Sequence, residues 1–244
     1  MVCVKSYDSQ KVADEISNAF GKTAESLRIV LCQNGWGNAE IFAKRFPRKN
    51  VFSSRVITGF FRPTLNRVEI TVHAEAIHLG SLFSDEIYCL KPLARAINGG
   101  GIPCQAVLDI EKDLIAKLLY NCALNPLGAI FRVPYGILGE FEMTRELMFH
   151  LVEEVFQVLG DRITYWVKAE EYMTSFYQKI LPPTARHESS MLQDIRAGKK
   201  TEIDSINGAV VKLGRANGIS TLHNSVIFNM IKFLEERSSS LFKG

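Results

Sequence analysis

"CQAVLDIEKDLIAKLLYNCALNPLGAIF", residues 104–131, decides the fold. Its first five residues make a last short strand. From about residue 109 the strand signal stops, and Glu111–Phe131 takes up helical periodicity. The later apolar segments read as helix too: Thr144–Leu159, Ala169–Leu181, Ser190–Ala197, Thr201–Asn217 and Asn224–Arg237. Thr144 opens one of them and Gly160 closes it. Thr201 with Asp204 resembles a capping box, and Gly218 stands where a helix ends. No internal repeat or low-complexity segment occurs. The chain is therefore divided at about residue 109, with α/β before and all-α after.

Upstream, "MVCVK" (1–5) is strand-like. Asp8 can cap a helix with Val12, Ile16, Ala19 and Phe20 on its inner face, ending at Gly21. "LRIVLCQ" (27–33) reads as a buried strand, "NGWG" (34–37) as a turn, and a helix follows through Ile41, Phe42 and Phe46. "VFSSRVI" (51–57) is a strand, and residues 67–80 alternate as a pair of strands. Residues 85–98 read as a helix led by Ser84, Asp85 and Glu86 and stopped by "NGGG". This β-α-β-α-β order followed by a hairpin suggests an open α/β sheet.

Bulk properties narrow the function classes. The chain has 244 residues, 47% of them hydrophobic and 23% charged, as in ordinary globular proteins. A net charge of +3 is too weak to argue for nucleic acid or a membrane surface. No apolar run is expected to approach the roughly 20 residues of a membrane span. Residues 1–20 carry Asp8, Asp14 and Glu15 and no apolar core, unlike a signal peptide. Five widely spaced cysteines without a CxxC argue against a disulfide framework or zinc, and for a reducing cytoplasm. The histidines show no metal-ligand spacing, so no metal is expected.

Three stretches stand out chemically. Lys117, Asn121 and Asn125 fall four apart, one polar stripe on an otherwise apolar helix. The stripe is either a solvated outer face or the wall of a site, where a lysine can act as an acid. Pro126 interrupts the same helix and frees a carbonyl about a turn earlier. In "HESSMLQDIRAGKKTEIDSINGAVV" (187–211), Ser189 and Ser190 suit capping, or a hydroxyl that receives an anion. Glu202 lies in a first helical turn, favourable to the dipole. "QNGWGNAE" (33–40) looks like a dinucleotide loop with Glu40 in place of its third glycine, or like a tight turn with an exposed asparagine.

Together "VKSYD" (4–8), "QNGWGNAE", "KLLYNCALNPLGAI" (117–130) and "SSMLQDIRAGKKTEIDSINGAVV" (189–211) resemble the ketopantoate reductase (2-dehydropantoate 2-reductase) family, in its order and over essentially the whole chain. The resemblance implies an α/β plus all-α fold. Residues 1–109 would be an incomplete Rossmann NADP-binding domain. Residues 110–244 would be an α-helical substrate and catalytic domain of the 6-phosphogluconate dehydrogenase C-terminal-like type. It implies NADPH-dependent reduction of 2-dehydropantoate to (R)-pantoate on the route to pantothenate and coenzyme A. By position, Lys117 and Glu202 match catalytic residues. Lys117, Asn121, Asn125 and Ser190 match substrate-binding residues, and Tyr135 takes the place of a further substrate asparagine. Lys5, Asn34 and Glu202 match cofactor-binding positions. The implied partner is a small 2-oxo acid, without nucleic acid or membrane, in a cytoplasmic protein that could pair as a homodimer. The family's GxGxxG strand-turn is not in this sequence, so about 70 N-terminal residues are expected to be lacking. Two alternatives stay open: a reductase of another 2-oxo acid, and a non-catalytic helical binding or dimerisation fragment.

Overall fold

The computed structural model describes residues 1–73 and 75–241. The chain forms two compact units, Met1–Leu114 and the part from Ile115 onward. The division falls inside one helix, Ile110–Phe131.

The first unit is built on a mixed four-stranded sheet. Its strands are β1 (Ile29–Leu31), β2 (Val51–Arg55), β5 (Ile77–Gly80) and β6 (Cys104–Ala106), in the order β1-β2-β5-β6. The β1–β2 and β5–β6 pairs are parallel and β2–β5 is antiparallel. Ile29, Leu31 and Val51 pack on one face with Ala13, Phe42 and Phe46; Val30, Phe52 and Leu79 pack on the other with Leu90 and Ala94. Both faces are covered, which is why these strands read as apolar runs without alternation. The covering helices are α1 (Ser9–Phe20) and α2 (Asn38–Phe42) on one side and α3 (Lys91–Gly99) on the other. Gly80 ends β5 where a Cβ would lie 2.6 Å from Ile110 Cβ and 2.7 Å from Val107 O. Only glycine lets the start of the long helix pack this close.

Several expectations for this unit need correction. "MVCVK" is not a full strand: only Val2 bridges, parallel to Leu31. Ala19 and Phe20 are exposed, so the inner face of α1 ends at Ile16. Asp8 stands at the start of α1 but its side chain makes no capping bond. The helix expected over 85–98 begins later: Ser84 Oγ holds Glu86 N in a turn, a 3-10 turn follows at Tyr88–Leu90, and Pro92 sits in the first turn of α3. One strand escaped the pattern altogether. β3 (Thr58–Thr64) pairs with β4 (Arg67–His73) in a separate two-stranded sheet. Pro63 and Gly59 disguise it, because they are tolerated only where a ladder is edge-like and irregular.

The long helix, α4 (Ile110–Phe131), is largely apolar apart from its first turn and the Lys117–Asn121–Asn125 stripe, and its Leu118, Leu119, Cys122, Ala123, Leu124 and Leu127 are buried. Such a helix belongs in a core. It corrects the expectation that no segment approaches membrane-span length: by length and composition α4 qualifies, although 67% of its apolar window is buried inside the protein.

The second unit continues with α5 (Tyr135–Glu140), α6 (Glu142–Leu159), α7 (Ala169–Ser175), α8 (Ser190–Arg196), α9 (Asn207–Asn217) and α10 (Leu222–Leu241). Gly160 and Gly218 end α6 and α9 with positive φ, as expected. α5 was not expected. Thr144 does not open α6, which starts at Glu142; its hydroxyl donates to the carbonyls of Leu138 and Phe141. The helix expected over Ala169–Leu181 changes to a π-helical turn at Phe176–Ile180. That expected over 201–217 is broken: a 3-10 turn at Ile203–Ser205 precedes α9, and Ile206 has non-helical ψ between them. There is no capping box. Thr201 Oγ1 accepts from Ile203 N and donates to Glu235, while Asp204 pairs with Lys232 at 3.2 Å.

Candidate active site

In the first unit the candidate residues lie where β1 ends. Gly35 and Gly37 take φ of 86° and 93°, so the loop turns tightly before the short α2. Beneath it runs a buried chain of polar groups. Gln33 Nε2 donates to Ser9 Oγ at 2.8 Å, Ser9 Oγ to Asn38 Oδ1 at 2.8 Å, and Asn38 Nδ2 to the carbonyl of Asn34 at 3.0 Å. Gln33 Nε2 also reaches the Lys5 carbonyl at 3.4 Å. One network therefore holds the backbones of both Lys5 and Asn34, the two cofactor residues expected in this unit. Ser9, Gln33 and Asn38 were not singled out from the sequence, because their bonding spans 24–29 residues of chain.

Gln33 Oε1 is buried and has no hydrogen-bond partner. The Gln33 residue lines a small pocket of about 20 Å³ with Leu31, Gly35, Trp36, Ser53 and Ser54, at the carboxyl ends of the parallel pair β1–β2. Open α/β sheets bind ligands at that end. An orphaned buried acceptor costs about 1–3 kcal/mol unless a donor meets it. A space this small admits one donor group, such as a single amide or hydroxyl of a nicotinamide dinucleotide.

A second cluster anchors the start of α4. Arg55, at the end of β2, is buried and pairs with Glu75 and with Asp113 at 3.6 Å. His78 Nδ1 meets Asp113 Oδ2 at 2.6 Å, and Gln105 Nε2 meets His78 Nε2 at 2.6 Å. Asp113 lies one turn before Lys117 on the same helix.

In the second unit the stripe is not a solvated face. Asn121 and Asn125 are only 6% and 4% exposed, and Lys117 is half-buried. Tyr135, 2% exposed, donates its hydroxyl to Asn125 Oδ1 at 2.5 Å. The amide of Asn125 is thus oriented, with its oxygen committed to Tyr135. Burial pushes the Tyr135 phenol well above its usual range, so it remains a donor across ordinary pH. The Tyr135 ring lies edge-on to Tyr120 and to His187, at 5.7 and 5.4 Å. Its backbone N–H bonds the carbonyl of His187, and Gly136 N bonds Ala185 O.

These bonds tie α5 to the segment that leads into α8. There the two serines separate. Ser189, fully buried, accepts from Leu192 N at 2.9 Å and is the cap; half-buried Ser190 is the first helical residue and is not the cap. Glu202 is 6% exposed. Its carbonyl accepts from Ser205 and Ile206, so it sits before a 3-10 turn rather than within a first α-helical turn. Thr201 beside it is clamped through both N and Oγ1 to Glu235, at 2.7 and 2.6 Å.

A further group missed from the sequence explains the Pro126 break. A proline removes the donor for the carbonyl four residues earlier, here Cys122. Asn207 Nδ2 supplies one at 3.2 Å, and also donates to Asn224 Oδ1 at 3.0 Å. Asn224 in turn donates to Glu154, which accepts four bonds from the N–H groups and side chains of His223 and Asn224. The turn that carries Asn121 and Asn125 is thus held by one side chain, Asn207, 85 residues beyond Cys122. Proline was the only signal, and it names the vacancy without naming its filler.

Comparison with known proteins places the chain. Residues 1–83 match the family model described as ketopantoate reductase PanE/ApbA, and residues 109–235 match its C-terminal counterpart. A 2-dehydropantoate 2-reductase of Aquifex aeolicus is 40% identical over 239 residues, covering 96% of this chain and 76% of the relative. One from Archaeoglobus fulgidus is 32% identical, covering 96% and 75%. A PanE/ApbA family ketopantoate reductase crystal structure from Ralstonia eutropha superposes with a TM-score of 0.80 at 26% identity, over 97% of this chain and 75% of that one. A D-mandelate dehydrogenase with NADH and anilino(oxo)acetate gives 0.84 at 21% identity, covering 97% and 75%, a likeness of fold. The expectation that about 70 residues are lacking gains no support from these matches, since the first family model applies from residue 1. The chain belongs to the ketopantoate reductase family, with a Rossmann-like first part and a helical second part.

Proposed function

We propose that this chain reduces 2-dehydropantoate to (R)-pantoate with NADPH, residues 1–109 serving the cofactor and 110–244 the substrate. The observation that carries the reading is the burial of the Asn121–Asn125 stripe, with Asn125 aimed by Tyr135. A merely solvated face would need neither.

Lys5, Asn34 and Glu202 would hold the dinucleotide, whose chemistry when bound is the supply of a hydride to the 2-oxo carbon. Each remaining task falls to a residue of this chain. Lys117 carries its proton on Nζ and gives it to the carbonyl oxygen, and its ammonium opposes the negative charge that gathers there. Asn121 and Asn125 bind hydroxyl and carboxylate oxygens without adding charge. Ser190, relieved of capping by Ser189, donates Oγ–H to the substrate carboxylate. Glu202 adjusts the charge state of the lysine.

Tyr135 favours a second reading, a different branched 2-oxo acid. Its hydroxyl is already given to Asn125, so it shapes the pocket as a bulky ring rather than adding an amide. Steady-state turnover across a panel of 2-oxo acids, with NADPH and then NADH, separates the two. The highest kcat/KM for 2-dehydropantoate with NADPH is expected; a clear preference for another oxo acid selects the second reading. A third arm addresses the non-catalytic alternative: fluorescence titration with NADPH should saturate, and no saturable binding would leave only a binding fragment.

A further inference from the structure

We propose that Cys3 and Cys32 form a thiol pair placed to close as a disulfide, a redox-responsive modification site beside the Gln33–Asn34 loop. The pairing follows from register. The parallel bridge sets Val2 opposite Leu31, with Val2 N donating to Val30 O and Cys32 N to Val2 O, each at 2.8 Å. One residue past this single bridge, the chain places Cys3 beside Cys32. Neighbouring strands lie about 4.8 Å apart, and disulfides span Cα separations of about 4.4–6.8 Å. Side chains at such neighbouring positions leave the same face of the pair, and Cys3 is close enough to raise the Cys32 pKa.

The partners are unequal. Cys3 is exposed and Cys32 is half-buried. Burial pushes the Cys32 thiol up to about 11, partly offset by a hydrogen bond from Ser54. Cys3 is therefore the sulfur an oxidant meets first, and Cys32 the one that resolves the adduct. Elsewhere Cys104 and Cys122 are buried, and Cys89 donates to the Glu86 carbonyl at 3.8 Å.

With a glutathione disulfide as oxidant the step balances. The Cys3 thiolate attacks one sulfur of the oxidant, forms a mixed disulfide and expels one glutathione thiolate. Cys32 loses its proton, attacks the Cys3 sulfur and expels the second. Two protein thiols are oxidised, one glutathione disulfide is reduced to two thiols, and the expelled thiolates take up the protons. The new bond would link the segment carrying Lys5 to that carrying Asn34, beside the amide network that already joins their backbones.

The test is independent of which oxo acid the protein reduces. The folded protein is incubated with glutathione disulfide, denatured, alkylated and mapped by mass spectrometry. The expected product is a Cys3–Cys32 cross-linked peptide lighter by two hydrogens. Cys3→Ser should abolish it, and Cys32→Ser should stop at a glutathione adduct on Cys3. A persistent adduct on Cys3 in the unaltered chain would overturn the proposal. So would a cross-link from Cys3 to a different cysteine, or no reaction at either thiol.

Discussion

Tyr135 shows how much one side chain decides. Its phenol and the Asn125 amide are both buried, so neither can turn to water instead. Tyr135→Phe leaves Asn125 Oδ1 without that donor, at a cost of about 1–3 kcal/mol. Urea denaturation should register that loss, and steady-state kinetics should show a raised KM for the oxo acid with kcat less affected. An unchanged KM would make Tyr135 a packing residue only. Lys117→Ala should instead lower kcat by roughly 10²–10⁴-fold, the range for a general acid. His187, against the Tyr135 ring, adds a pH dependence. Burial lowers its pKa, and Glu188 only partly counters this. Below about pH 6.5, the ordinary imidazole value, the unfolded chain takes up a proton that the folded chain resists. Stability is therefore complete above that value and declines as pH falls through it toward the folded pKa. Denaturation midpoints from pH 7.5 to 5 should fall, and His187→Gln should flatten part of the slope. An identical slope in the variant would remove His187 from this role. At this scale the stripe, Ser190 and Glu202 were legible as residue types, since spacing and motif carry them. Which serine caps was not legible, because Ser189 and Ser190 differ only in where the backbone turns.

Among the elements, α4 states the logic most clearly. Its sequence announces a helix with a polar stripe and an interior proline. The partner of the freed Cys122 carbonyl is contributed by Asn207. Asn207→Ala would strip donors from both Cys122 O and Asn224 Oδ1, so about 1–3 kcal/mol of stability should be lost. The effect is read from chemical denaturation with an unchanged m-value. A neutral result would mean that Cys122 O is satisfied in another way. Helix existence was legible wherever apolar periodicity ran long, as in α4, α6 and α10. Helix boundaries were not, where tertiary partners replaced local caps. Thr201 is clamped to Glu235 as well as bonded by Ile203 N, and Ser84 holds a turn while α3 begins only at Lys91, with Pro92 in its first turn. β3 stayed hidden because a two-stranded, edge-like ladder tolerates the proline and glycine that argue against a strand.

For the whole molecule, the change from apolar strands to apolar helices near residue 109 was visible because strand and helix periods differ. The mixed order β1-β2-β5-β6 was not, because no local pattern shows that β5 runs against β2. The buried network of Ser9, Gln33 and Asn38 and the orphaned Gln33 Oε1 are also products of the folded chain. Under the proposed function the first part serves the cofactor, and α4 offers Lys117, Asn121 and Asn125 to the oxo acid. The most direct test is therefore oxidation of NADPH by this chain with and without 2-dehydropantoate, beside Lys117→Ala. The account expects oxidation that depends on 2-dehydropantoate and falls at least about a hundredfold in the variant. No oxo-acid-dependent oxidation, or equal rates in the two proteins, would contradict it.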